Sequence, residues 1–138
     1  MRNCLFSILA LTICFIFLIG CQTSKKEPFQ DEEVSRVSIS TSNGFGKVNA
    51  DSPAVYEDQE TLDIFKSAIS NAVKQDGIVD MAEPEFELNV IFADGNKESY
   101  YLWVGEKGQK SALMNVKNTH TMYAISEGIT DQLVELLK

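Results

Sequence analysis

The sequence is poor in the residues that catalysis and metal binding most often use. Its 138 residues include one histidine, three cysteines and one tryptophan. A histidine triad needs a nucleophile and an orienting acid around the ring, and we predict that His120 lies in a solvated turn instead. A zinc site needs several histidine or thiolate ligands. We therefore expect no catalytic residue, no bound metal and no cofactor.

Basic charge is also scarce. The chain has 12 Lys and Arg against 20 Asp and Glu, which gives a formal net charge of −8 at pH 7. A nucleic-acid partner requires a basic face that neutralises phosphates, so we expect none. The 44% of hydrophobic residues is typical of a globular domain and argues against a disordered acidic tail.

A long hydrophobic run stands near the start of the chain. Arg2 is followed by an uncharged stretch from Cys4 to Ile19. As a helix this stretch would span about 24 Å, which is less than the roughly 30 Å of a bilayer core. The layout is typical of a secretory signal peptide. The alternative is a retained transmembrane anchor, because tilt and bilayer thinning accommodate a short helix.

The run ends in the residues Leu18-Ile19-Gly20-Cys21, which resemble the lipobox of bacterial lipoproteins. The resemblance implies cleavage between Gly20 and Cys21 and a lipid in thioether linkage to Cys21. A cysteine suits this role because its thiolate is the reactive nucleophile. We expect the protein to be lipid-anchored at the extracytoplasmic face of the cell membrane, with the membrane as its partner through that lipid.

This interpretation divides the chain into three parts. Residues 1–20 are the expected signal peptide. Residues 21–33 are the lipidated cysteine and a flexible tether, since they are polar and charged and show no apolar period. Residues 34–138 are a single globular domain without a disulfide, which must be stabilised by its core.

Apolar periodicity predicts the first half of the domain. Short strands are expected over Val34–Ser40 and Pro53–Tyr56. Asp58 has the chemistry of an N-cap. A helix is predicted over Gln59–Gln75, and Gly77 is predicted to end it as a C′ residue.

The second half alternates in the manner of hairpins. The predicted strands are Phe86–Phe92, Glu98–Val104, Ala112–Val116 and Thr121–Ile125. The last two join around Lys117–His120, and Ser126 is predicted to cap a final helix. The order β-β-α-β-β-β-β-α predicts an α+β fold, with a largely antiparallel sheet of five to six strands and two helices packed on one face.

Several stretches of the domain also follow a family pattern. They are Asn43–Asn49, Val55–Asp58, Leu62–Ile69, Gly77–Met81, Tyr101–Gly108 and Ile125–Ser126. Through these stretches the chain resembles the YhfM-like lipoproteins of Gram-positive bacteria over residues 34–138. The resemblance implies the location and the domain type of these lipoproteins, and it assigns no catalytic residue to this chain.

The hairpin of the predicted strands Phe86–Phe92 and Glu98–Val104 has two alternative registers. A change from one to the other moves each side chain of a strand to the opposite face of the sheet. A two-residue loop at Asp94-Gly95 would put Tyr101 and Trp103 on the apolar face. A three-residue loop, Ala93-Asp94-Gly95, would pair Phe86, Leu88 and Val90 with Leu102, Tyr100 and Glu98. We favour the three-residue loop, which leaves Tyr101 and Trp103 on the face that the helices do not cover.

Phe45 lies between two glycines in a predicted loop. A large apolar side chain in such a loop is either a binding tip or folds back onto the core, and we favour the core. With Tyr101 and Trp103, Phe45 forms the candidate contact surface of the protein.

A group of acids follows the predicted helix and extends into the start of the strand Phe86–Phe92: Asp76, Asp80, Glu83, Glu85 and Glu87. Calcium takes oxygen ligands of this kind, but the spacing matches no loop that we can name. We expect these acids to serve solubility and predict no metal site.

Taken alone, the sequence predicts a non-catalytic binding or interaction domain for a protein or envelope ligand. A substrate- or wall-binding module is the second hypothesis. A hydrolase that uses paired acids is the third.

Overall fold

The computed structural model describes residues 32–47, 52–77 and 80–138. These residues form one antiparallel sheet with the strand order β2-β1-β4-β5-β6-β7-β3 and two helices. The elements are β1 (Val34–Thr41), β2 (Ala54–Tyr56), α1 (Gln59–Ser70), β3 (Val73–Lys74), β4 (Phe86–Phe92), β5 (Lys97–Trp103), β6 (Ser111–Asn115), β7 (Asn118–Ile125) and α2 (Glu127–Leu137). The predicted α+β class is confirmed, and the sheet has seven strands where five to six were expected.

Helix α1 begins where the sequence indicates. Asp58 is extended, with φ −77° and ψ 140°, and its carboxylate accepts a 2.9 Å hydrogen bond from the backbone N–H of Thr61. This bond lowers the pKa of the Asp58 carboxyl below its ordinary value. The cap satisfies one of the amides that the first helical turn leaves without a partner.

The end of α1 differs from the prediction. The helix stops at Ser70, and Val73 and Lys74 pair with Ala124 and Tyr123 of β7 as the additional strand β3. Val73 is consequently 64% exposed and does not continue the buried face of the helix. A β-branched residue fits a pleated strand well, and pairing with β7 supplies the backbone hydrogen bonds that further helical turns would have made.

The β4–β5 hairpin has the three-residue register. Phe86 lies opposite Leu102 and Leu88 opposite Tyr100, so the preferred prediction is confirmed. The N–H of Gly95 donates to the carbonyl of Phe92 at 2.9 Å. Gly95 has a φ of +89°, a left-handed conformation that this loop requires and that glycine adopts without steric cost.

The β6–β7 turn comes earlier than predicted. β6 ends at Asn115 and β7 begins at Asn118, because the Asn115 side chain accepts a 2.8 Å hydrogen bond from the N–H of Lys117 and so closes the turn locally. His120 therefore lies in strand β7, not in a turn, and it is exposed.

Both helices cover the same face of the sheet. Their buried side chains include Phe65 of α1 and Leu133 of α2, and the sheet contributes Val37, Leu88 and Leu102 to the same core. Ser126 is the N-cap residue of α2, as predicted, and is extended, but its side chain makes no capping hydrogen bond. Its backbone carbonyl accepts a 2.9 Å hydrogen bond from the N–H of Thr130. Tyr101 and Trp103 lie on the opposite face of β5, as their alternation with Leu102 requires.

The described ranges contain no helix that combines the length and apolar character needed for crossing a membrane.

Candidate functional site

The three predicted contact residues lie together on the sheet face opposite the helices. The ring of Phe45 meets Tyr101 edge-on at a centroid distance of 5.1 Å and lies 6.0 Å from the ring of Trp103. The N–H of Gly46 donates a 2.8 Å hydrogen bond to the hydroxyl of Tyr101. We call Phe45, Tyr101 and Trp103 the aromatic cluster.

Two expectations about this cluster need correction. Phe45 does not fold onto the core: it packs against the other side of the sheet and is 42% exposed. Tyr101 was expected on an uncovered face, but the Phe45 loop covers it and leaves it only 4% exposed. The physical reason is that the loop after β1 crosses the end of β5, where two aromatic side chains offer it an apolar surface.

A second loop fixes the tryptophan. The indole N–H of Trp103 donates to the carbonyl oxygens of Ala82 and Glu83, at 3.0 Å and 3.1 Å. The carboxylate of Glu83 lies 3.7 Å from the Lys47 ammonium, and both side chains are well exposed. The loops on either side of the aromatic cluster are thus joined to each other and to the strand beneath.

A groove between α1 and α2 forms a second candidate site, which we call the helix groove. Its volume is about 640 Å³, within the range of small-molecule sites. Ile64 and Leu136 provide apolar surface. The polar lining side chains are Glu60, Thr61, Asp63, Ser67, Gln132 and Glu135.

Two of the acidic side chains that line the helix groove, Asp63 and Glu135, are held by neighbours. The Asp63 carboxylate accepts a 2.9 Å hydrogen bond from the side-chain amide of Gln59. The Lys107 ammonium donates a 2.7 Å hydrogen bond to Glu135, which raises the pKa of Lys107 above its ordinary value. Asp63 and Ser67 are four residues apart on α1 and therefore share one helical face.

The sequence did not reveal the helix groove. In the sequence, Glu60 and Asp63 are acidic residues near the start of a predicted helix, where they suit the positive end of its dipole. The sequence shows that Asp63 and Ser67 are four residues apart and that Gln132 and Glu135 are three apart, so that each pair shares a helical face. It does not show that these two faces lie opposite each other, because that depends on how the helices pack in the tertiary structure.

The remaining predicted residues are dispersed or not described. Gly20 and Cys21 lie outside the described residues. Of the acids considered for calcium, Glu83 pairs with Lys47 and Glu85 with Lys138. In the part of the chain that the structure covers, no three His, Cys, Asp or Glu side chains come close enough together to hold a metal ion.

Among solved structures, the fold is similar to that of a thioesterase-like protein from Clostridium sporogenes ATCC 15579. The two sequences are 21% identical, the TM-score is 0.61, and the alignment covers 78% of this chain and 98% of that chain. At this level of identity the likeness concerns the fold. No curated protein sequence matches this chain.

This comparison contradicts the expected function. The sequence predicted a non-catalytic domain because histidine and cysteine are scarce, yet a protein of the same fold is described as thioesterase-like. The prediction is wrong in its reasoning, since carboxylate, hydroxyl and amide side chains support hydrolysis without histidine or thiol. The fold therefore gives no ground for excluding catalysis.

The family comparison covers most of the chain. The YhfM protein family matches residues 30–138, a range that contains every strand and helix described above. The match agrees with the resemblance carried by the loop and strand motifs of the sequence. The chain belongs to the YhfM protein family.

Proposed function

We propose that this protein is a hydrolase of small esters or thioesters, with the helix groove as its active site. The observation that carries the proposal is the set of side chains that line this groove: the Asp63 carboxylate, the Ser67 hydroxyl and the Gln132 amide, beside apolar Ile64 and Leu136. The solved structure described as thioesterase-like supports the reaction class.

Each group has a chemical task in this proposal. The Asp63 carboxylate takes a proton from water as the water oxygen attacks the substrate carbonyl. The Gln132 amide donates a hydrogen bond to the carbonyl oxygen, on which negative charge develops. The carbon–sulfur or carbon–oxygen bond then breaks, and the leaving group takes the proton from Asp63. The Ser67 hydroxyl orients the water, and the apolar side chains receive the acyl group.

The proposal also places the enzyme at a membrane. Lipidation of Cys21 would hold the domain at the extracytoplasmic face of the cell membrane, close to acyl substrates. The support for this anchor is the sequence Leu18-Ile19-Gly20-Cys21 at the end of an uncharged run.

A substrate panel tests the proposal. The full chain, purified in a non-ionic detergent, is assayed against thioesters and oxygen esters with acyl chains of increasing length. We expect turnover that falls about a hundredfold in Asp63→Asn, as loss of a general base commonly does. Asp76→Asn is the matched control, because Asp76 is exposed and does not line the groove. No turnover above buffer, or equal turnover in the two variants, would refute the proposal.

A further inference from the structure

We infer that the aromatic cluster is a binding site for an organic cation, such as a quaternary ammonium or alkylated amine. The inference concerns the sheet face opposite the helices and is independent of the helix groove. It rests on two features that occur together: partly exposed aromatic rings, and carboxylates placed around them. A positive group is attracted to the face of an aromatic ring by the ring quadrupole.

Two rings of the cluster pack against each other without stacking. Phe45 and Trp103 have a centroid distance of 6.0 Å and an interplanar angle of 46°, which is a tilted ring contact and not a face-to-face stack. Phe45 is 42% exposed and Trp103 is half-buried, so both rings reach solvent. Tyr101 lies beneath Phe45 and holds its loop through the hydrogen bond from Gly46.

The orientation of the indole is fixed before any ligand arrives. Its N–H is engaged by the carbonyl oxygens of Ala82 and Glu83. A ring held in this way loses little rotational freedom on binding, which lowers the entropic cost of association. The two carbonyl oxygens also bring partial negative charge to the edge of the indole ring.

The charges around the cluster favour a cation. Glu83 lies on the loop that contacts Trp103, and Glu87 lies directly opposite Tyr101 on the neighbouring strand and on the same face. Lys47 is a nearby positive group, and its contact with Glu83 is a 3.7 Å pair between exposed side chains. Such a pair contributes little and is readily exchanged. A bound cation can therefore replace Lys47 beside Glu83.

The cluster lies beyond the end of β1 that is farther from Glu33. The carbonyl of Glu33, just before β1, accepts a hydrogen bond from Ala93 in the β4–β5 loop. Phe45 follows the other end of β1, where Thr41 lies opposite Phe86. An eight-residue strand spans about 24 Å. This separation favours a cation in solution over a head group of the lipid layer that holds the anchor, and the test distinguishes the two.

The single tryptophan makes the test direct. Tetramethylammonium chloride is titrated into the full chain in a non-ionic detergent, and Trp103 emission is followed. We expect a saturable change that neither sodium chloride at equal ionic strength nor neutral tert-butanol produces. A linear change, or the same change with sodium or tert-butanol, would overturn the inference.

Variants locate the site. Phe45→Ala and Glu83→Gln should each raise the dissociation constant several-fold, whereas Glu127→Gln, an exposed acid at the start of α2, should leave it unchanged. Circular dichroism verifies that each variant is folded. If Phe45→Ala and Glu83→Gln bind as the parent does, the site is not the aromatic cluster. Asp63→Asn should still bind the cation, so failure here and failure of the hydrolase proposal are separate outcomes.

A further experiment distinguishes a soluble cation from a lipid head group. The chain is mixed with vesicles of phosphatidylcholine or of phosphatidylglycerol, and free choline is titrated separately. A response to free choline alone supports a soluble ligand, and a response to phosphatidylcholine vesicles as well supports a head group. A response to phosphatidylglycerol vesicles equal to that with phosphatidylcholine contradicts recognition of the ammonium group.

Discussion

The hydroxyl of Thr130 in α2 donates a 2.8 Å hydrogen bond to the hydroxyl of Ser111 in β6, inside the core. Thr130 is 0% and Ser111 is 3% exposed. The Ser111 oxygen also accepts a 3.1 Å hydrogen bond from the N–H of Gly105. One buried oxygen thus joins the second helix, the sheet and the loop between β5 and β6.

Ser111→Ala should lower the free energy of unfolding by about 1–3 kcal/mol, because it leaves two donors without their acceptor in the interior. Chemical denaturation measures the loss. Thr130→Val keeps the shape of the side chain and removes one of the donors, so its cost should be smaller. In the double variant the two costs should be less than additive. Full additivity would mean that the hydrogen bond does not couple the two positions.

Gly105→Ala should also destabilise the fold. A Cβ atom at this position would lie 2.5 Å from the backbone carbonyl oxygen of Lys110, so the loop must move. Gly128→Ala is the matched control: it lies in α2 with open space around the added atom, and alanine there should stabilise the helix by about 0.5–1 kcal/mol. The midpoint of thermal unfolding should fall in Gly105→Ala and rise in Gly128→Ala. A shift of the same sign in both variants would contradict the contact at Gly105.

At alkaline pH, ionisation of the Tyr100 phenol should lower the stability of the fold. Burial raises the pKa of its phenol above the usual value of about 10, and the negative charge of Glu98 acts in the same direction. The fold therefore favours the neutral phenol. This stabilisation is fully present below pH 10 and is lost as pH rises towards the folded pKa, at up to about 1.4 kcal/mol per pH unit.

The measurement is urea unfolding at several pH values, together with the ultraviolet absorbance of tyrosinate. Tyr100→Phe retains the ring and removes the titrating group, so the loss of stability above pH 10 should become shallower. Tyr123→Phe serves as the comparison, since Tyr123 is only partly buried. Equal slopes in the parent and Tyr100→Phe would show that Tyr100 does not cause the pH dependence.

Cys21→Ser should separate the domain from the membrane. Serine cannot accept the thioether lipid, so we expect either an unprocessed precursor or a released protein on cell fractionation. Ser24→Ala in the same segment is the control and should leave fractionation unchanged. If Cys21→Ser still fractionates with membranes at the mature mass, the lipobox interpretation is wrong.

The parts of the fold that follow from local chemistry were accessible from the sequence. Asp58 caps a helix because its carboxylate reaches an amide three residues away, and Gly95 sets the hairpin register because that loop requires a left-handed residue. Both arguments need only neighbouring residues. They were enough to place Tyr101 and Trp103 on the face opposite the helices.

Features that depend on distant residues were not accessible in this way. Val73 fits the spacing of a helix as well as that of a strand, and its pairing with Ala124 decides between them. Phe45 was expected in the core because the sequence does not show that two aromatic residues on β5 lie beneath its loop. The helix groove was missed for the same reason: its polar lining joins α1 to α2.

The position of β1 in the sheet has a consequence for the order of assembly. β1 lies between β2 and β4, so Val37 must find Val90, far along the chain, whereas β4 to β7 join through consecutive hairpins. Contacts between distant segments form slowly, because chain entropy is lost before they do. We therefore expect β1, the first strand of the described residues, to be among the last to pair. Until then Val37 and Ile39 are open to chaperones and to aggregation.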